Sequence, residues 1–219
     1  MKKIQLLSII TIITVLLISC GPKREVKEVF HPGTDVISEK YEFFTDEDGN
    51  EEKDGFYEFY DDKGNVVSEG QYKKGLRSGK WVKYHENRKI RNTSEFKNDS
   101  LHGSYEAFYN TGELKTLISY ENGKRQGQYY SYFKNGNVQS EVVYNDGKRE
   151  GIQKSYTEEG VLVEEKEYKN GVPNGIYNKY YIGGELHEQG FFKLSQPDSI
   201  WHTYNKEGRL TGTTTYTQK

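Results

Sequence analysis

Residues 103–126 read GSYEAFYNTGELKTLISYENGKRQ, and residues 127–150 read GQYYSYFKNGNVQSEVVYNDGKRE. Laid over one another, the two stretches match at Gly103 and Gly127, Phe108 and Tyr132, Gly112 and Gly136, Leu114 and Val138, Tyr120 and Tyr144, Gly123 and Gly147. Self-similarity at a fixed period marks a repeat architecture, in which each unit buries its apolar face only against its neighbours. The frame extends in both directions. Gly55, Gly79, Gly103, Gly127, Gly151 and Gly175 stand 24 residues apart, and Ser199 holds the seventh place.

Counting each of these positions as zero, the fifth place holds Tyr60, Tyr84, Phe108, Tyr132, Tyr156, Tyr180 and Tyr204. The ninth holds Gly64, Arg88, Gly112, Gly136, Gly160, Gly184 and Gly208, and the eleventh is aliphatic from Val66 to Leu210. The seventeenth is aromatic from Tyr72 to Tyr216. The ninth-place glycine falls between an aromatic and a branched aliphatic, which predicts a short hairpin loop with one residue at positive φ. Where Arg88 replaces it, Asn87 precedes, and asparagine tolerates the left-handed region. A second turn, as in Asn122-Gly123, returns the chain to the next hairpin. Two turns per 24 residues leave two short strands per unit. The eleventh and seventeenth places share a parity, so Leu114 and Tyr120 are expected on one side of their strand. The second-place aromatics (Tyr57, Trp81, Tyr105, Tyr129, Tyr177, Trp201) differ in parity from the fifth-place ones. Either a bulge lies between them or both faces carry rings. The fifth-place column is expected to be buried and to hold the sheet.

The pattern Gly-x-aromatic-x-x-aromatic-x-x-x-Gly-x-aliphatic, closed by aromatic-x-Asn-Gly, resembles the MORN-repeat variant. That resemblance implies an all-β fold, an elongated single-sheet array of seven tandem 24-residue antiparallel β-hairpin repeats over residues 55–219. Residues 35–54 are expected to hold a partial N-terminal repeat (Val36–Phe44) and a loop. Arg88, Asp99, Gln153, Ser195 and Ser199 depart from the pattern, the last two as befits a terminal cap.

Residues 1–19 read as a targeting segment. Lys2-Lys3 precedes an apolar run from Ile4 to Ile18, short for a bilayer span of about 20 residues. Leu17-Ile18-Ser19-Cys20 resembles the bacterial lipobox, which implies lipid on the Cys20 thiol and cleavage before it. Membrane anchoring through that lipid follows, and Gly21 after the cysteine favours the outer membrane of a Gram-negative cell envelope. Residues 20–34 are charged and aperiodic and read as a lipidated tether.

Composition narrows the function classes. Nineteen Tyr, ten Phe and two Trp in 219 residues argue against a disordered chain. The net charge of −2 falls by two more units when Lys2 and Lys3 are removed, giving no reason to expect nucleic acid. The single cysteine excludes an intramolecular disulfide and a cysteine-based metal site. The five histidines (His31, His85, His102, His187, His202) do not line up along the repeat, so no metal site is expected. The acidic run Asp46–Glu52 lacks the spacing of a calcium loop and reads as a connecting loop. No nucleophile motif or phosphate loop appears, so no catalytic residues, no cofactor and no small-molecule substrate are expected. The reading is an envelope-anchored, non-catalytic protein-interaction or scaffold module. The candidate partner-binding edge is formed by Arg77, Lys124, Arg125, Lys148 and Arg149 in the return loops. The alternative is an immunity role, because the repeat also resembles that of YwqK-type antitoxins.

Overall fold

The computed structural model describes residues 23–217 and the backbone of Ile12 and Ile13. Cys20, the rest of residues 1–22 and residues 218–219 lie outside the described residues. All regular structure among the described residues is β-strand, arranged in antiparallel hairpins that divide into two compact units, Met1–Leu101 and His102–Lys219. The first contains β1 (Ile12–Ile13), β2 (Glu25–Phe30), β3 (Ile37–Thr45), β4 (Glu51–Tyr60), β5 (Val66–Lys73), β6 (Leu76–Tyr84) and β7 (Ile90–Lys97). Strand β8 (Ser100–Phe108) begins in the first unit. The second continues through β9 (Leu114–Glu121), β10 (Lys124–Tyr132), β11 (Val138–Asn145), β12 (Lys148–Tyr156), β13 (Leu162–Lys169), β14 (Val172–Tyr180), β15 (Leu186–Lys193), β16 (Gln196–Tyr204) and β17 (Leu210–Tyr216).

Each hairpin loop from β4 onward has five residues. In Asp61–Asn65 the Asp61 amide donates to the Asn65 carbonyl at 2.9 Å, and the Gly64 amide donates to the Asp61 carbonyl at 3.0 Å. Gly64 sits at φ 77°, so the loop is a type I turn followed by one left-handed residue. The Asp61 carboxylate accepts the amides of Lys63 and Asn65, which holds the loop closed from within. The return turns have two residues, both at positive φ: Asn122 at 49° and Gly123 at 80°, Asp146 at 50° and Gly147 at 82°. That is the type I′ geometry, whose twist matches that of the flanking strands.

Residues 25–30 correct the tether reading. Glu25–Phe30 is a strand, paired with β3 from Glu25↔Phe43 to Phe30↔Ile37, so the array begins with a whole hairpin before Gly55. The acidic run is that hairpin's return loop. Asp46–Asn50 repeats the bonds of Asp61–Asn65: the Asp46 amide donates to the Asn50 carbonyl at 2.9 Å, and the Asp46 carboxylate accepts the amides of Asp48 and Asn50.

Two bulges recur and set which side each residue takes. At the start of every odd-numbered strand after β3, one residue is extra: Phe59 pairs with Ser68 and Tyr60 with Val66, leaving Val67 unpaired. Directly opposed residues point to the same side. Phe108 pairs with Leu114, Glu106 with Leu117, and Gly103 with Tyr120. Leu114 therefore shares a side with Leu117 and not with Tyr120, the reverse of the parity expectation, because Lys115 is the extra residue. The second bulge inserts two residues and preserves parity. Glu69 pairs with Val82 and Gln71 with Ser78, so Gly79, Lys80 and Trp81 lie across from Gly70 alone.

The core of each unit is an aromatic seam on one side of its strands, built from the second and seventeenth places. In the first unit Tyr57 meets Tyr72 at 5.3 Å between ring centroids, Tyr72 meets Trp81 at 5.3 Å, and Trp81 meets Phe96 at 6.1 Å. In the second, Tyr177, Phe192, Trp201 and Tyr216 follow the same order, with centroids 5.1–5.9 Å apart. Most of these contacts are edge-to-face, the arrangement favoured by ring quadrupoles. Trp81 lies flat on Gly70 and Trp201 on Gly190; a Cβ on either glycine would stand within 2.3 Å of the indole. Each indole N–H donates to a carbonyl at 3.2 Å, Trp81 to Gln71 and Trp201 to Phe191. The second-place rings are thus seam and not an exposed stripe. The fifth-place rings, expected to hold the sheet, lie half-buried on the opposite side.

Candidate functional site

The return turns carry the proposed basic edge, and the register splits it in two. Arg77, Arg125 and Arg149 point to the seam side, each over a seventeenth-place ring. Their guanidinium carbons stand 4.2 Å from Phe96, 5.2 Å from Tyr144 and 3.9 Å from Tyr168. Arg77 is further fixed by Asp99, whose carboxylate accepts from Nε and from the Arg77 amide, both at 2.9 Å. The guanidinium in turn holds the Asp99 carboxyl below the usual carboxylate range. Arg149 fills the place where Gln153 replaces a seam ring, donating to its side-chain oxygen at 3.1 Å. These three arginines extend the aromatic core by cation–π contact. Lys124 and Lys148 pair with Glu121 and Asn145 and so point to the other side. Lys124 bridges Asp146 at 2.6 Å, both ends well exposed.

That other side is the open face. It carries a ladder of half-buried tyrosines bonded to glutamates of the preceding unit. The hydroxyls of Tyr84, Tyr156 and Tyr180 donate to Glu69 at 2.6 Å, Glu141 at 2.7 Å and Glu165 at 2.8 Å. Burial first, then the carboxylate partner, pushes each of these phenols up to about 12. The sign follows. Unfolded tyrosine ionises near pH 10 and the folded ones about two units higher, so the unfolded chain loses protons first. The ladder's contribution is fully present below about pH 10 and is lost as pH rises through about 12. Urea midpoints of the purified protein are expected to fall steadily between those values. A chain with Tyr84, Tyr156 and Tyr180 changed to Phe should show a shallower fall; an identical one would remove the ladder as the cause.

Beside the ladder in the second unit runs a row of exposed apolar side chains from the first and sixteenth places. Val143 is 39% exposed, Ile152 41%, Ile176 40%, Phe191 39% and Ile200 51%. Ile176 and Phe191 are direct cross-strand partners. Val172, 39% exposed, joins the row at the return-turn end, where Lys124 and Lys148 stand. Sequence reasoning passed over these residues because it followed the ring columns. Branched aliphatics recurring at the first place (Ile152, Ile176, Ile200) were the available signal. Among the described residues no cluster of three or more His, Cys, Asp or Glu side chains is placed to hold a metal ion.

No curated protein matches the chain. The family described as MORN repeat variant matches four times, over residues 53–74, 101–122, 125–146 and 149–170. Each match opens two residues before a zero-place glycine, on Lys53, Leu101, Arg125 or Arg149, and runs through one hairpin into the return turn. The hairpins it marks are the ones built above from turn chemistry, register and the aromatic seam. The chain is a MORN-variant repeat protein.

Proposed function

We propose that the protein is a non-catalytic interaction module, held at the cell envelope by lipid on Cys20, that docks a protein partner on the open face of its second unit. The exposed apolar row carries this reading. Exposed apolar side chains gathered on one face, with Ile176 and Phe191 directly paired, are the kind of surface that marks interaction sites. The row is rimmed at one end by Lys124 and Lys148, so the partner fits best if its own apolar strip ends in acidic residues. Lysines at a rim tune association rate and salt sensitivity more than affinity. Arg77, Arg125 and Arg149 drop out of the binding edge, because their planar faces are spent on rings.

The test begins with capture of partners from membranes on the mature protein, followed by binding of the identified partner to an Ile152→Lys, Ile176→Lys double variant. Both side chains are exposed, so melting should be unchanged while affinity falls at least about tenfold, the loss of one interface hot spot. Undiminished binding by that variant would move the site elsewhere. Anchoring has its own measurement. Cys20→Ala should shift the protein from the detergent phase to the aqueous phase on partitioning, and unchanged partitioning would end the lipoprotein reading.

A further inference from the structure

We propose that the groove between the first two hairpin loops of the 24-residue frame binds a phosphorylated solute of monosaccharide size. The groove is open to solvent, offers about 430 Å³ and is lined by Lys63, Gly64, Asn65, Val66, Tyr84 and Arg88. That volume lies at the small end of ligand pockets, which run from roughly 300 to 1,000 Å³. Two cations border it, Lys63 from one loop and Arg88 from the next. Val66 and the Tyr84 ring give it an apolar wall.

Arg88 is the informative residue. It occupies the ninth place, which is glycine in the other six units, and it adopts φ 66° there. The left-handed region costs an L side chain free energy that glycine does not pay. The guanidinium is fixed against the groove by a 2.6 Å bond from Nη2 to the Asn65 side-chain oxygen. Among the described residues neither Arg88 nor Lys63 lies in an ion pair. Two neighbouring carboxylates have partners of their own: Asp61 accepts amides of its own loop, and Glu69 accepts the Tyr84 hydroxyl. The unit holding Arg88 is also one that the family pattern passes over, its matches running from 53–74 directly to 101–122. A guanidinium fork with an ammonium across from it suits a phosphate monoester, and the wall suits the face of a sugar ring.

The experiment is calorimetric titration of the mature chain with glucose 6-phosphate, inorganic phosphate and glucose, and in parallel with vesicles of phosphatidylglycerol or phosphatidylcholine. Saturable binding of glucose 6-phosphate, with none of glucose, is expected. Arg88→Gly restores the residue the other units use, so it should melt at the same temperature or higher yet bind at least tenfold more weakly. Lys63→Ser should weaken binding as well. Unaltered affinity in Arg88→Gly would overturn the site, as would absence of saturable binding to any phosphorylated solute. Binding confined to anionic vesicles would also overturn it, assigning the two cations to a membrane surface.

Discussion

Deletion of residues 127–138 will destroy cooperative folding of the second unit, whereas deletion of residues 127–150 will leave a shorter folded protein. The first removes most of β10, its loop and Val138, and leaves β9 joined by a short link to the rest of β11, which runs the same way as β9 in the intact sheet. Parallel neighbours need a crossover of a dozen or more residues, which the remaining turn does not supply. The second joins Gln126 to Gly151, so the return turn Asn122-Gly123 leads into β12 at the correct place and the seam resumes. Its cost is one unit and its contacts; at about 2 kcal/mol that is a fall of roughly 4–8 °C in Tm for a chain of this size. Circular dichroism melts of the two deletions check this. Similar losses in both would mean that 24 residues are not the unit of folding.

Trp81→Ala is expected to destabilise the first unit by about 3–5 kcal/mol, the range for truncating a buried aromatic. The indole is 7% exposed, touches Tyr57, Tyr72 and Phe96, and covers the bare backbone of Gly70. Gly70→Ala approaches the same seat from below. Its Cβ would sit 2.3 Å from the ring, so the indole must move, at about 1–3 kcal/mol. Urea denaturation of both variants tests the seat as a pair. If Gly70→Ala were neutral, the stacking of Trp81 on the backbone would not be the feature that fixes its position.

What the sequence disclosed was whatever local turn chemistry announces. The glycines and Asn-Gly pairs specify their turns without reference to anything distant, and so the hairpins, the 24-residue period and the family were all readable. Sidedness was not. Lys115 looks like any other strand residue, and only the pairing of Phe108 with Leu114 shows it to be extra. With that residue uncounted, Leu114 is assigned to the wrong side and the fifth-place rings to the core. The first hairpin was hidden by length. Phe30 and Tyr60 hold equivalent places but stand 30 residues apart, because its loops and its strands are longer than those of the 24-residue frame. The setting of the return-turn arginines was hidden for a related reason. Only register shows that a ring lies beside each of them, as Tyr168 lies beneath Arg149.

The two indole seats have a spectroscopic consequence. The chain has two tryptophans, one in each compact unit, and both rest in the same setting: a glycine beneath and tyrosine or phenylalanine rings at their edges. Light absorbed by the neighbouring tyrosines is passed on to the nearer indole, so the emission of Trp81 reports on residues before 102 and that of Trp201 on residues after. Replacing one tryptophan with phenylalanine silences one half of the molecule and leaves the other audible. The chain thus carries its own pair of fluorophores for asking whether its two halves come apart together or in sequence.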